Sequence, residues 1–362
     1  MDSPNVGVLG CGVISDRYFE AGDVFEAFEV VSCADIDQAR AEQKAEEFDI
    51  TAASSTDAMF EDDDVDIIVN LTPPAVHAET SIAAIEAGNH VYTEKPLAAS
   101  TQEAAELLDV AEEHGVRVGS APDTMLGRGL QTVRHALDDG IIGDPISATA
   151  FFTSPGHEAW HPHASIFYRH GGGPLFDMGP YYLTALTSVL GPAERVAGST
   201  GKAYERRSLG DGETVDVEVP THESGVVDFE CGATATLLFT FDVGASSIAP
   251  QNGFEIHGTD GTLLAPDPNF FDGPVRVKTD DEEEWSEIQL LEGPAGQQRG
   301  LGVADLAKAV TSDWDHRTSG TRAYHVLEIL EGIRTSSEDS TFVDPSTDPP
   351  RPPLLPESIT ST

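Results

Sequence analysis

Asn5-Val6-Gly7-Val8-Leu9-Gly10-Cys11-Gly12-Val13-Ile14-Ser15 is the stretch whose reading decides the fold of this chain. An apolar run leads straight into Gly10 and Gly12, and the pattern predicts a strand, a tight turn and a helix from about Val13. Gly10 can take a turn closed to other residues, and Gly12 has no side chain to hold a phosphate away from the backbone. Val13 and Ile14, at the helix start, then offer N–H groups without intrahelical partners to an anion. A dinucleotide pyrophosphate needs these features. Ser15 stands at the third small position, where it permits close helix-to-strand packing but departs from the full glycine fingerprint. Taken alone, the motif also fits an ordinary strand-to-helix turn.

The next unit favours the dinucleotide. Residues 28–34 read as a second buried strand, and Asp35 stands at its end, near the spacing at which an acidic side chain hydrogen-bonds the adenosine ribose hydroxyls. A carboxylate there repels a 2'-phosphate, so NAD is expected over NADP, although Arg40 and Lys44 on the following helix leave NADP possible. Asp37 is the rival for the ribose role, with helix N-capping as its plainer use.

Outward from this motif the chain alternates strand and helix. A helix is expected at 38–48, a strand at 65–71 stopped by Thr72-Pro73-Pro74, a helix at 75–87 closed by Gly88, and a strand at 90–93 ending at Glu94-Lys95-Pro96. Ser100 and Glu103 form a capping-box pattern before a helix running to His114, and a short strand follows at 116–119. Such alternation implies an α/β fold with a doubly wound parallel sheet. Ligands bind beyond the carboxyl ends of its strands, where Thr72, Pro73, His77, Glu94 and Lys95 fall.

The texture changes after about position 123. A helix at 130–138 precedes a strand around 146–152, alternating runs at 214–219, 224–231, 233–242 and 253–257, and a helix at 181–190 able to cover one face. Helices near 301–310 and 321–334 follow. This reads as an α+β region with a mostly antiparallel sheet. The expected division is 1–123 for the Rossmann domain, 124–343 for substrate binding and oligomerisation, and 344–362 for a Pro-rich tail, extended or disordered.

Sixty-three acidic residues stand against 20 basic ones in 362, a formal charge of -43, and the excess is spread along the chain. Such a surface repels nucleic acid and anionic lipid. It also repels itself until salt near 1 M shrinks the Debye length to about 3 Å, so adaptation to a high-salt cytoplasm is expected. No segment approaches the roughly 20 apolar residues of a membrane span, and no signal peptide opens the chain, which predicts a cytoplasmic protein. Cys11, Cys33 and Cys231 are expected to be unpaired apolar fillers.

Two stretches bear candidate chemistry. A lysine at the end of a Rossmann strand, partly desolvated beside a cofactor, can move a proton near neutrality, which singles out Lys95; the plainer reading is a surface Glu-Lys pair. In Gly171-Gly172-Gly173-Pro174-Leu175-Phe176-Asp177-Met178-Gly179-Pro180-Tyr181, Pro180 suits a first helical turn. Asp177 and Tyr181 then lie about one turn apart, placed to hold a hydroxyl. Alternatively Asp177 caps the helix and Tyr181 packs in the core. His157-Glu158-Ala159-Trp160-His161 spells the H-E-x-x-H zinc pattern, but Pro155-Gly156 before it and Pro162 after it argue against the helix such a site needs, so no metal is expected.

Gly10-x-Gly12, Glu94-Lys95-Pro96 and the 171–181 stretch, in this order, resemble the glucose-fructose oxidoreductase / inositol dehydrogenase / MocA (Gfo/Idh/MocA) family. The resemblance runs over about residues 5–342. It implies an N-terminal Rossmann domain, a C-terminal domain with a large open sheet, homodimers or homotetramers, and NAD(P)-linked hydride transfer at a carbinol carbon of a sugar, polyol or inositol-like substrate. It makes Lys95 catalytic and Asp177 substrate-orienting, and places Trp160, His161 and His163 in a region that can line a sugar pocket. Many members have His four residues after that Asp, where this chain has Tyr181. Tyr181 then either shares the proton transfer or leaves it to Lys95. The alternatives are an NAD-dependent glycoside hydrolase of the same fold and a non-catalytic NAD-sensing regulator.

Overall fold

The computed structural model describes residues 3–53, 55–210, 212–246, 253–293, 295–312, 314–356 and 359. The chain divides into two compact units, one of residues 1–126, 293–324 and 355–362, the other of 127–292 and 325–354.

The first unit opens with β1 (Asn5–Leu9), α1 (Ser15–Val24), β2 (Glu29–Ala34), α2 (Gln38–Phe48), β3 (Thr51–Ala52) and α3 (Thr56–Phe60). It continues with β4 (Ile67–Asn70), α4 (His77–Glu86), β5 (His90–Thr93), α5 (Thr101–His114) and β6 (Val118–Ser120). The strands form one sheet of order β3-β2-β1-β4-β5-β6, parallel throughout. Strands covered on both faces by crossover helices read as unbroken apolar runs, and all four residues of β4 are buried. Local signals set the helix ends. The Ser100 hydroxyl accepts from Glu103 N at 3.2 Å, the Glu103 carboxylate accepts from Ala99 N at 3.1 Å, and Gly115 closes α5 at φ 67°.

The second unit contains α6 (Arg128–Asp138), β7 (Pro145–Thr153), α7 (Pro174–Leu190), β8 (Ala193–Gly201) and the β9 (Arg206–Gly210)/β10 (Glu213–Asp216) ribbon. Then come β11 (His222–Phe229), β12 (Thr234–Thr240), β13 (Gly253–Gly258), β14 (Gly261–Ala265), β15 (Val275–Thr279) and β16 (Ser286–Ile288). Its large sheet has the order β16-β15-β14-β13-β7-β12-β11-β8. It is antiparallel except where β7 runs parallel to β12, giving the expected α/β architecture with a second, mostly antiparallel sheet. Of the closing helices, α8 (Leu301–Thr311) belongs to the first unit and most of α9 (Gly320–Asp339) to the second.

Several local expectations are corrected. Helix α7 starts at Pro174 rather than near 181, because Gly173 (φ 99°) and Pro174 at its first position open it, and Pro180 therefore lies inside the helix. The run expected at 214–219 forms the short ribbon strand β10 outside the large sheet. Cys11 and Cys33 are buried and unpaired, whereas Cys231, in the turn after β11, is exposed and fills nothing. Residues 344–356 form no helix or strand but are anchored. Arg134 Nη1 donates to Pro352 O at 2.7 Å, Arg351 Nη2 to Asp138 Oδ1 at 2.7 Å, and Ser346 N to Glu328 Oε1 at 2.7 Å. Among the described residues no helix is long and apolar enough to cross a membrane.

Candidate active site

In the first unit, β1 runs into Gly10 at φ 95°, whose N–H donates to Ala34 O at 2.8 Å. A Cβ there would meet Leu71 O at 2.9 Å, whereas a Cβ on Gly12 would meet nothing within 4 Å. The turn is thus tight at Gly10 and open at Gly12. Val13 is fully exposed, and Ile14 starts α1 without a side-chain cap. An uncapped helix start under an open glycine fits a pyrophosphate. The Ser15 hydroxyl donates to Gly12 O at 2.6 Å, so the residue that breaks the glycine fingerprint ties the turn together from a buried position.

Asp35 is more deeply engaged than the sequence suggests. Its Oδ2 accepts from Cys11 N at 2.8 Å, its Oδ1 from Asp37 N at 2.8 Å, and Arg40 Nη1 approaches Oδ2 at 3.3 Å. The carboxylate ties the glycine turn to the end of β2. Asp37 is half exposed, and Arg40 reaches it at 3.6 Å.

Beyond β4 and β5 the loops are fixed by Thr72, His77 and Glu94, which the sequence singled out, together with Asn70, which it did not. The buried Asn70 amide donates to His77 O, Thr80 Oγ1 and Ser81 Oγ at 3.1, 2.7 and 2.9 Å. Its carbonyl accepts from Thr72 N and Thr72 Oγ1 at 3.1 and 2.6 Å. His77 is 1% exposed. Its ring nitrogens lie 2.7 Å from Pro96 O and 2.7 Å from Thr72 O, and burial lowers its pKa against the pull of those carbonyls. His77 therefore links the loop after β4 to the loop after β5, and its ring turns inward. Pro73 is exposed.

Glu94 likewise points into the protein. Its Oε1 accepts from Tyr18 Oη at 2.9 Å and Arg299 Nη1 at 3.0 Å, and its Oε2 from Lys95 N at 3.0 Å. Burial pushes this carboxyl up, but Arg299 and Lys95 outweigh it and hold the group below the usual range. The backbone at Lys95 is thereby pinned at the carboxyl end of β5, with the Lys95 residue half-buried.

In the second unit, every residue of α7 except Asp177 is buried. Asp177 Oδ2 lies 2.9 Å from Nε2 of His157, and Tyr181 follows one turn on, 7% exposed. The helix start is held from two other elements. Glu223 of β11 accepts from Leu175 N at 2.9 Å and from Arg334 Nε of α9 at 2.7 Å, and Arg334 Nη2 donates to Gly172 O at 2.9 Å.

The H-E-x-x-H segment forms no α-helix. Glu158 pairs with Arg207 Nε at 2.6 Å, while the rings of His157 and Phe167 lie 4.0 Å apart, and those of His161 and Phe167 5.0 Å. Trp160 packs on both imidazoles yet is 67% exposed, and His163 is exposed beside His161. Burial and the neighbouring His157 and His163 lower the His161 pKa.

A parallel sheet of order 3-2-1-4-5-6 with an open glycine turn after its first strand defines a dinucleotide-binding protein of the Rossmann class. Residues 4–121 match the family described as "Oxidoreductase family, NAD-binding Rossmann fold" and residues 130–264 match its C-terminal domain. The dTDP-3,4-didehydro-2,6-dideoxy-alpha-D-glucose 3-reductase of Streptomyces violaceoruber is 30% identical over 312 residues, 84% of this chain and 84% of that protein. The D-xylose 1-dehydrogenase (NADP(+)) 2 of Haloferax volcanii is 26% identical over 93% of this chain and 98% of that one. The solved structure of an NAD binding oxidoreductase from Klebsiella pneumoniae superposes with a TM-score of 0.84 at 23% identity, covering 96% of this chain and all of that one. The chain belongs to the Gfo/Idh/MocA family of oxidoreductases, and its N-terminal unit is the family's NAD-binding domain.

Proposed function

We propose that this oxidoreductase transfers a hydride between nicotinamide and a carbinol carbon of a sugar or polyol, with Lys95, Asp177 and Tyr181 acting on the substrate. One observation supports this most: on a helix otherwise wholly buried, the single residue left partly open is a carboxylate fixed by a neighbouring imidazole. Core packing gives no reason to place a charge there.

The residues fit the cofactor. Gly10, Gly12, Val13 and Ile14 would hold the pyrophosphate, Asp35 and the half-exposed Asp37 would face the adenosine ribose, and Thr72 and Pro73 would flank the nicotinamide end. His77 and Glu94 contribute by holding the loops there. When bound, the nicotinamide supplies the hydride donor or acceptor. The Lys95 amine takes the hydroxyl proton in oxidation and returns it in reduction. Asp177 accepts a hydrogen bond from the reacting hydroxyl, Tyr181 orients it, and Trp160, His161 and His163 present an aromatic face and imidazole edges to the ring and hydroxyls. NAD is the preferred coenzyme on the strength of two carboxylates near the ribose position. The functional division proposed is coenzyme binding by 1–123, substrate binding and oligomerisation by 124–343, and a tail from 344. The protein works as a homodimer or homotetramer, as the family resemblance implies, and in a high-salt cytoplasm, for which its charge of -43 is the support.

The test is NADH absorbance over a panel starting with D-xylose and myo-inositol, with NAD and NADP, in molar KCl and with product analysis. Stoichiometric NADH supports the reading. Sugar release without net NADH would indicate hydrolysis, and coenzyme binding without turnover would indicate a sensor.

A further inference from the structure

We propose that His157 is a positioning residue for Asp177, setting the direction in which that carboxylate meets the substrate. The inference rests on the assignment of Asp177 as the group that holds the reacting hydroxyl.

His157 lies in the loop after β7, 5% exposed. Its ring sits among Trp160, Phe167 and Phe241, at centroid distances of 5.0, 4.0 and 4.6 Å. Its Nε2 is 2.9 Å from Asp177 Oδ2, and against a carboxylate that nitrogen is the donor. Nδ1 is buried and has no hydrogen-bond partner among the described residues. A ring nitrogen sealed away without a partner destabilises the fold, and a phenyl ring would fill the same aromatic cage without that loss. Packing therefore does not account for an imidazole here, whereas the bond to Asp177 does.

The bond does more than satisfy the pair. Asp177 stands in the first turn of α7, where the helix dipole favours its negative charge, but the dipole does not choose a rotamer. A donor at Oδ2 narrows the side-chain rotamers open to the carboxylate and so biases the direction in which Oδ1 points. A hydroxyl held for hydride transfer must be aligned closely, and a misplacement of about 1 Å can cost about 100-fold in rate.

Four variants test this with the panel sugar that gives turnover, D-xylose being tried first. His157→Phe keeps the ring and removes the donor, His157→Gln puts an amide N–H near the place of Nε2, Asp177→Ala removes the acceptor, and the fourth combines H157F with D177A. We expect H157F to lose about 10- to 100-fold in kcat, with the NADH dissociation constant unchanged and the melting temperature unchanged or raised. H157Q should recover to within about 3-fold of wild type, and the double variant should be no slower than D177A, because partners that act as a unit are not additive. Wild-type kcat in H157F alongside an inactive D177A overturns the role of His157, as does a double variant whose losses multiply. Full turnover in D177A, or no turnover by wild type on any panel sugar, instead removes the assignment beneath it. If H157F does not fold, His157→Leu replaces it, with the same outcomes deciding.

Discussion

Gly10 and Gly12 are two residues apart and should fail in opposite ways when a side chain is added. At Gly10 the backbone is at φ 95°, and a Cβ would come within 2.9 Å of Leu71 O and 3.2 Å of Thr72 N. Left-handed backbone costs an L residue about 1–2 kcal/mol, and overpacking against atoms that cannot yield costs about 1–3 kcal/mol more. Gly10→Ala should therefore destabilise by about 3 kcal/mol, which for a unit of this size lowers Tm by about 6–12 °C. At Gly12 a Cβ meets nothing within 4 Å, so Gly12→Val should melt within about 2 °C of wild type. That same open space is where we place the pyrophosphate. An isopropyl group there removes at least one charged hydrogen bond, worth about 1.5–3 kcal/mol, and should weaken NADH binding by about 10- to 100-fold. Differential scanning calorimetry and NADH fluorescence titration in 3 M KCl read both effects. Wild-type NADH affinity in G12V would refute the placement of the coenzyme, and an unchanged melting temperature in G10A would refute the steric reasoning.

Lys95→Ala should lower turnover by about 100-fold or more while NADH affinity is kept, in line with general acid-base contributions; stopped-flow hydride transfer and fluorescence titration separate the two. Arg334→Met strands the fully buried Glu223 carboxylate, whose pKa burial already raises against the pull of Arg334. A loss of about 3–5 kcal/mol is expected by urea unfolding, and a loss under 1 kcal/mol would show that the pair is solvated. His316 donates from Nε2 to Val118 O at 2.8 Å, and burial lowers its pKa to about 4. The unfolded chain, titrating near 6.5, binds the proton first, so the stability contributed above pH 6.5 is lost as pH falls toward 4, about 3 kcal/mol at 1.36 kcal/mol per unit. His316→Gln should flatten that part of the pH–stability curve, and an unchanged slope would exclude His316 as its source. Melting temperature and activity should both rise between dilute buffer and molar KCl as surface repulsion is screened.

Local chemistry was legible. Gly10 and Gly12 between β1 and α1, the box of Ser100 with Glu103, and Gly115 at the end of α5 act on neighbours within a few residues, and each signals a boundary. Helix α2 has the bounds expected from its Ala-, Glu- and Lys-rich run. Resemblance supplied the pairing of a Rossmann unit with a large open sheet, and the matches over residues 4–121 and 130–264 bear it out. The strands missed include β9, β14, β15 and β16, which pair with chain neighbours, and β8, whose partner lies farther along the chain. Ala193-Glu194-Arg195-Val196-Ala197-Gly198 has little β-propensity, yet β8 pairs with β11 and bridges Val196 to Val343. The groups that hold the site are non-local in the same way. Arg299 lies 205 residues from Glu94, Arg334 lies 111 from Glu223, and His157, 20 residues before Asp177, is masked by a zinc motif. No periodicity links such positions, because tertiary folding alone brings them together.

What these distant partners share is that each orients a group rather than stabilising the fold cheaply. A buried ion pair is seldom worth more than apolar side chains of equal volume, and an imidazole with one orphaned nitrogen is worth less than a phenyl ring. Glu94 with Arg299 nevertheless pins the backbone of Lys95, Glu223 with Arg334 pins the first turn of α7, and His157 pins the carboxylate that this turn presents. Each unit thus spends polar groups in its interior at the residue to which we assign chemistry. Buried hydrogen bonds at fixed angles are what a lysine amine and a carboxylate require if each is to meet a substrate in one orientation.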